Sequence, residues 1–177
     1  MTISLAIDTS TSRTCVAIIE DGALLWSGHK DGATAHGPAL PSLVSEAIKG
    51  HAIDEVVVGM GPGPFTGLRI GIAFARSFAL SRNIEVRGVC SLDAIAAQVT
   101  SKDFIITVDA RRKEVYWARY VDGVRVGNPA VSFPIDVVGN EIRNNLFPDL
   151  IALVALKQEF AEPIYLRHPD AVATSDR

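Results

Sequence analysis

Two acidic residues each end an apolar run and open a turn: Asp8 in Asp8-Thr9-Ser10-Thr11-Ser12 and Asp109 in Asp109-Ala110-Arg111-Arg112. Such a pair can place carboxylates beside metal-bound phosphates if small residues let the backbone approach. The second turn is bulky and basic where a phosphate turn needs small residues, which argues against ATP hydrolysis or phosphotransfer. A third candidate is Gly59-Met60-Gly61-Pro62-Gly63-Pro64-Phe65-Thr66-Gly67, glycine-rich and set between an apolar run and a helix. Segments of that kind can present amides to phosphate. A dinucleotide fingerprint starting at Gly61 would need glycine at Thr66, and a Walker loop would need lysine near Leu68 and Arg69. Pro62 and Pro64 also lack amide donors, which points to a rigid turn.

The other reactive side chains do not converge. His29, His36, His51 and His168 have no second histidine three or four residues away, as a two-histidine zinc helix requires. His36 reads as a helix-entry or surface residue. Cys15 and Cys90 sit among apolar neighbours without metal-knuckle or redox spacing, and read as buried reduced thiols of a cytoplasmic protein. No serine lies in the small-residue elbow of a nucleophile. The residues therefore assemble no catalytic, cofactor-binding or metal-ligating set.

The elements that would position these groups follow from periodicity. Residues 3–7 and 14–19 are rich in β-branched side chains on either side of the Asp8 turn, a hairpin pattern, and a third strand follows Asp21-Gly22. Leu40, Leu43, Val44, Ala47 and Ile48 repeat at helical spacing over residues 38–49, with Gly50 as the stop. Val56-Val57-Val58 reads as a buried parallel strand, and a second helix covers residues 66–82. Residues 84–89 read as a strand, and Ser91 as the cap of a helix through Ala97. Past Thr100-Ser101-Lys102 the strand-turn-strand theme returns, with a strand at 104–108, alternation from Val115 to Tyr120 and a strand after Asp122-Gly123. Residues 150–160 have helical spacing, and the tail from Ala171 is expected to fray. Periodicity alone defines an α/β chain.

With 177 residues and 48% hydrophobic content, the chain can bury one substantial core or two small ones. Seventeen basic against twenty acidic residues give a net charge of -3, which disfavours unaided RNA binding. The apolar-rich stretch 67–80 is broken by Arg69 and Arg76 and falls short of the ~20 residues that span a bilayer, and no targeting segment precedes residue 8.

Helix 66–82 is apolar around nearly its whole circumference, more than one buried face requires. Gly67, Gly71 and Ala75 recur every four residues and flatten one side, which would let another backbone approach. That side reads either as packing within the chain or as an intersubunit surface rimmed by Arg69 and Arg76.

Four segments in order resemble landmarks of the TsaB (YeaZ) family: Leu5-Ala6-Ile7-Asp8-Thr9-Ser10, the block from Gly61 to Gly71, Asp109-Ala110-Arg111-Arg112-Lys113-Glu114-Val115-Tyr116 and Ile164-Tyr165-Leu166-Arg167. Pro64 stands where that block carries serine, and segment 134–149 is shorter than the family's middle. The resemblance implies an actin, sugar kinase and heat-shock-protein-like (ASKHA, ribonuclease H-like) fold. Its two tandem mixed-sheet subdomains would be 1–101, carrying the dimerisation helices, and a shortened 102–177. It further implies a non-catalytic relative of TsaD, the subunit that transfers threonylcarbamoyl to an adenosine beside the transfer RNA anticodon. The implied partners are TsaD and the ATPase TsaE, with transfer RNA contacted only indirectly and a homodimer as the other assembly. No cofactor is expected here, since nucleotide and metal belong to the partner subunits.

In that family two helices pair with TsaD or a second copy, and here they correspond to 38–49 and 66–82. The residues expected at the interface are Leu40, Leu43, Val44, Ala47, Leu68, Arg69, Gly71, Ile72, Ala75, Arg76 and Ala79. The competing reading is a stand-alone metallopeptidase-like or phosphotransferase enzyme of the same superfamily, built on Asp8, Asp109 and His36. A direct RNA-binding module using Arg111, Arg112 and Lys113 is a third reading, weaker than a solvated turn.

Overall fold

The computed structural model describes residues 1–166, so Arg167, His168 and the tail from Ala171 lie outside the described residues. The Asp8 turn closes a hairpin of β1 (Ile3–Asp8) and β2 (Arg13–Glu20), and Asp21 and Gly22, both at positive φ, turn the chain into β3 (Ala23–Asp31). Crossovers through α1 (His36–Ala47) and α2 (Phe65–Arg82) add β4 (Glu55–Gly59) and β5 (Glu85–Val89) in parallel. The result is a five-stranded mixed sheet in the order β3-β2-β1-β4-β5. After α3 (Ser91–Ala96), the antiparallel strands β6 (Asp103–Asp109), β7 (Val115–Val121) and β8 (Val124–Ser132) build a second sheet. A two-residue β9 (Ile142–Arg143) joins it parallel to β6, giving the order β8-β7-β6-β9.

Successive strand side chains point to opposite faces, so the wholly apolar central strands imply a layer on each side. Leu5, Ile7, Val16, Ile18, Val56 and Val58 face α1 and α2, meeting Leu40, Val44, Leu68 and Ile72. Ala6, Ala17, Ile19 and Val57 face the other way, toward Ala94 of α3 and Leu153 of α4 (Leu150–Ala155). Each fully buried Val, Leu or Ile among them contributes about 1.5–3 kcal/mol of transfer free energy. A third cluster joins Leu92 and Ile95 of α3 to Phe104, Ile106, Ala118 and Tyr120 of the second sheet.

Two local readings need correction. The helical spacing of 150–160 yields helix only over Leu150–Ala155, after which the chain becomes an extended strap. Backbone partners take over there: Glu159 bridges Val89, Phe160 N–H donates to the Gly88 carbonyl at 2.8 Å, and Ile164 N–H donates to that of Met60 at 2.8 Å. Ser91 is not a helix cap. Cys90 holds that position without a side-chain bond, and the Ser91 hydroxyl is used elsewhere.

Candidate functional site

Asp8 ends β1 in the middle of the first sheet and is fully buried. Its Oδ1 accepts the Ser10 N–H at 2.8 Å and the Ser10 hydroxyl at 2.7 Å, and its Oδ2 accepts the Ser91 hydroxyl at 2.6 Å. Burial pushes its pKa above the ordinary carboxylate value, against these hydrogen bonds and the nearby His36. A Cβ at Gly59 would collide with Asp8 Oδ2 and the Ser91 hydroxyl, so glycine there lets the cluster close. Asp109, by contrast, is exposed at the end of β6, where it accepts the Arg111 N–H at 2.9 Å and pairs with its guanidinium at 3.6 Å. Arg111, Arg112 and Lys113 all have positive φ, a strained basic turn.

The residues present do not fit a metal-bound triphosphate between the two turns. Both Asp8 oxygens are occupied from within the chain. The cavity between the turns, lined by Thr11, Ser12, Pro64, Asp109, Arg111 and Phe147 among others, is about 90 Å³. Small-molecule pockets run to about 300–1,000 Å³. Among the described residues, no three His, Cys, Asp or Glu side chains are grouped to hold a metal ion.

His36 opens α1, as a helix-entry residue, but it is buried and not on the surface. Its Nδ1 shares a hydrogen bond of 2.8 Å with the Thr14 hydroxyl, and burial holds its pKa below the ordinary value. Both cysteines are free and buried, and burial pushes each thiol up to about 12.

The glycine side of α2 belongs to this chain's own packing. A Cβ at Gly67 would come within 2.8 Å of the Thr9 carbonyl oxygen and 3.3 Å of His36 Nε2, and one at Gly71 would strike the Thr9 hydroxyl. The Thr9 hydroxyl donates to the Gly67 carbonyl at 2.8 Å, so the Asp8 turn itself is what approaches the flat side. Of the residues expected at an interface, Leu40, Val44, Ala47, Leu68, Gly71, Ile72, Ala75 and Ala79 are buried inside the chain. The apolar side chains among them hold the helices to the sheet. Leu43 is half-buried, and Arg69 and Arg76 are exposed.

A neighbouring stripe of α2 lies outside the residues expected at the interface. Ile70, Ala73, Phe74, Ser77 and Leu80 recur at helical spacing, with Ile70 and Phe74 half-buried and Leu80 84% exposed. The helix reads as apolar all round because Ile70 and Phe74 widen the face packed on the core, while Ala73 and Leu80 stand among exposed Thr66, Arg69, Arg76 and Ser77.

Residues 31–162 match the family described as TsaD, tRNA N6-adenosine threonylcarbamoyltransferase. The chain is 34% identical to the tRNA threonylcarbamoyladenosine biosynthesis protein TsaB of Bacillus subtilis, over 68% of this chain and 55% of that one. A solved structure of YeaZ from Pseudomonas aeruginosa superposes with TM-score 0.74 at 26% identity, covering 88% of this chain and 90% of that one. The chain belongs to the TsaB (YeaZ) family. An uncharacterized Mycobacterium leprae protein is 43% identical over 93% of this chain and 48% of its own length. The TsaB-family chain thus spans about half the length of these curated relatives. A second structure, of an uncharacterized protein with similarity to peptidase YeaZ from Pseudomonas aeruginosa, gives TM-score 0.80 at 26% identity, over 94% of this chain and all of that one. These likenesses and the two mixed sheets place the TsaB-family fold in the ASKHA class. Among the described residues no helix is long and apolar enough to cross a membrane.

Proposed function

We propose that the chain is a binding subunit, without a catalytic centre of its own, in threonylcarbamoyladenosine biosynthesis, and that it docks on TsaD through the outer faces of α1 and α2. The biosynthetic role comes from the relatives' names. The docking role is carried by exposed Ala73, Ser77 and Leu80, flanked by Ile70 and Phe74 that are only partly buried against the core, on a helix already anchored to the sheet. The enclosure of Asp8 supports a role without turnover, because a carboxylate occupied in this way cannot reach a substrate. TsaE belongs to the same proposed assembly, and a homodimer through α2 is its competitor.

Mixing the purified chain with the TsaD of the same organism should give a complex that co-elutes in size exclusion and, supplied with transfer RNA and a threonylcarbamoyl donor, forms the modified nucleoside, while the chain alone with the same substrates forms none. Ala73→Glu combined with Leu80→Asp should abolish co-elution and leave the melting temperature nearly unchanged, because both positions are exposed. An unchanged elution profile for that variant would refute the assignment. Substituting Gly71 cannot serve as this test, since the clash with Thr9 would disturb the fold itself.

A further inference from the structure

The two sheets share one chain path. In the first, β1, β2 and β3 are followed by α1 and then by β4 parallel to β1; in the second, β6, β7 and β8 are followed by residues Pro134–Asp136 and then by β9 parallel to β6. The strand orders β3-β2-β1-β4 and β8-β7-β6-β9 correspond. Where the first repeat has the twelve residues of α1, with Leu40, Val44 and Ala47 buried, the second has a three-residue 3-10 turn. A cavity of about 620 Å³ opens beside that turn. Small-molecule sites run to about 300–1,000 Å³.

The cavity lies at the carboxyl ends of the parallel pair β6 and β9, and open α/β sheets receive ligands in crevices outside the carboxyl ends of their strands. Backbone bonds fix its walls: the Ile105 N–H donates to the Glu141 carbonyl at 2.8 Å, and the Val137 N–H donates to that of Pro134 at 3.2 Å. Val115, Pro134, Val137 and Ile142 make one side apolar. On the other side Lys113 supplies an ammonium, Asp109 and Glu114 supply carboxylates, and Asn144 and Asn145 supply carboxamides bonded to one another at 3.1 Å. Lys113 and Asn145 both stand at positive φ, a conformation that is costly for non-glycine residues and gathers at ligand clamps.

Charges of both signs within one cavity select the ligand. One ammonium against two carboxylates disfavours a polyphosphate, and a simple cation or a simple anion would leave part of the rim unmatched. A molecule that carries both an ammonium and a carboxylate matches both signs, and the apolar side takes a short aliphatic chain. We propose that this cavity binds a free α-amino acid with a short aliphatic side chain, its carboxylate on Lys113 and the asparagine carboxamides and its ammonium on Asp109 and Glu114. The site shares no residue with α1 or α2, so it stands or falls apart from the docking function proposed above.

Titration of the isotope-labelled chain with L-valine up to about 10 mM, followed by amide NMR, tests it. Amides of residues 107–115 and 134–145 should shift and saturate with a Kd below about 1 mM. Isobutylamine and isovalerate, which each carry one of the two charges of valine, should bind at least about tenfold more weakly. Lys113→Ala should weaken valine binding about tenfold or more and leave the melting temperature nearly unchanged, because Lys113 is exposed. Ile142→Trp, at an exposed position that lines the cavity, should fill it and abolish the shifts. Shifts that do not saturate, or that fall outside these segments, would overturn the proposal. Equal binding of either one-charge analogue, or of valine to Lys113→Ala, would overturn it as well.

Discussion

Asp8 accepts three short hydrogen bonds while fully enclosed, so removing one donor leaves a carboxylate oxygen that water cannot reach. Ser91→Ala should therefore cost about 1–3 kcal/mol in denaturant unfolding, with an unchanged midpoint counting against the seal. His36 and Asp8 give opposite dependences on pH. Burial holds His36 below its ordinary value of 6.5, so the unfolded chain takes up that proton first. Its contribution is complete above about pH 6.5 and is lost as the pH falls through the lower folded value. Asp8, held above 3.8, carries the cost of ionisation at neutral pH and sheds it as the pH falls through its raised folded value. Between about pH 6.5 and 5 the wild-type melting temperature should fall more steeply than that of His36→Gln, and equal slopes would remove His36 from the account. Asp8 itself was legible in the sequence as a residue at a turn. Its closure was not, because Ser91 stands 83 positions away and nothing local pairs the two.

The elements were legible wherever one periodicity dominates. The β-branched runs of β1 and β2 and the apolar run of β4 report burial directly, since strands covered on both faces need no polar alternation. On α2 a wide buried face and a few exposed apolar residues overlapped in the sequence, and small residues appeared on the buried side. Small residues mark close approach without saying what approaches, and here it is Thr9 of the same chain. The stretch after α4 failed for another reason, because its spacing is helical but its backbone bonds go to Gly88 and Met60. Arg87 secures that switch. Half-buried on β5, it donates to the Val154 and Leu156 carbonyl oxygens at 3.0 and 2.9 Å and pairs with Glu55 at 3.3 Å. Orphan carbonyls at a helix end need such partners. Arg87→Ala should speed amide hydrogen exchange across residues 150–160 about tenfold or more while β6 to β8 stay protected, as read by mass spectrometry. Uniform exchange across the chain would show that Arg87 does not act on that element alone.

At the scale of the whole molecule, the strap is where the two sheets meet. Phe160 and Ile164 pack against the core of α1, α2 and the first sheet and also against the core of α3 and the second sheet. Arg125 of β8 donates to Asp93 of α3 at 2.9 Å and to Gln158 of the strap at 3.2 Å, and Tyr120 of β7 donates to the same Asp93 at 2.8 Å. Cooperative unfolding requires that losing one core expose enough of the other to destabilise it. Two half-buried side chains shared between cores are a route for that coupling. The wild-type chain should melt in one calorimetric transition whose van't Hoff and calorimetric enthalpies agree. Phe160→Ala with Ile164→Ala should lose about 3–5 kcal/mol and also split the trace, because each core loses its contact with the other before its own packing is spent. A single transition at lower temperature would mean that Asp93, Arg125 and the direct approach of α3 to both sheets couple the cores without the strap.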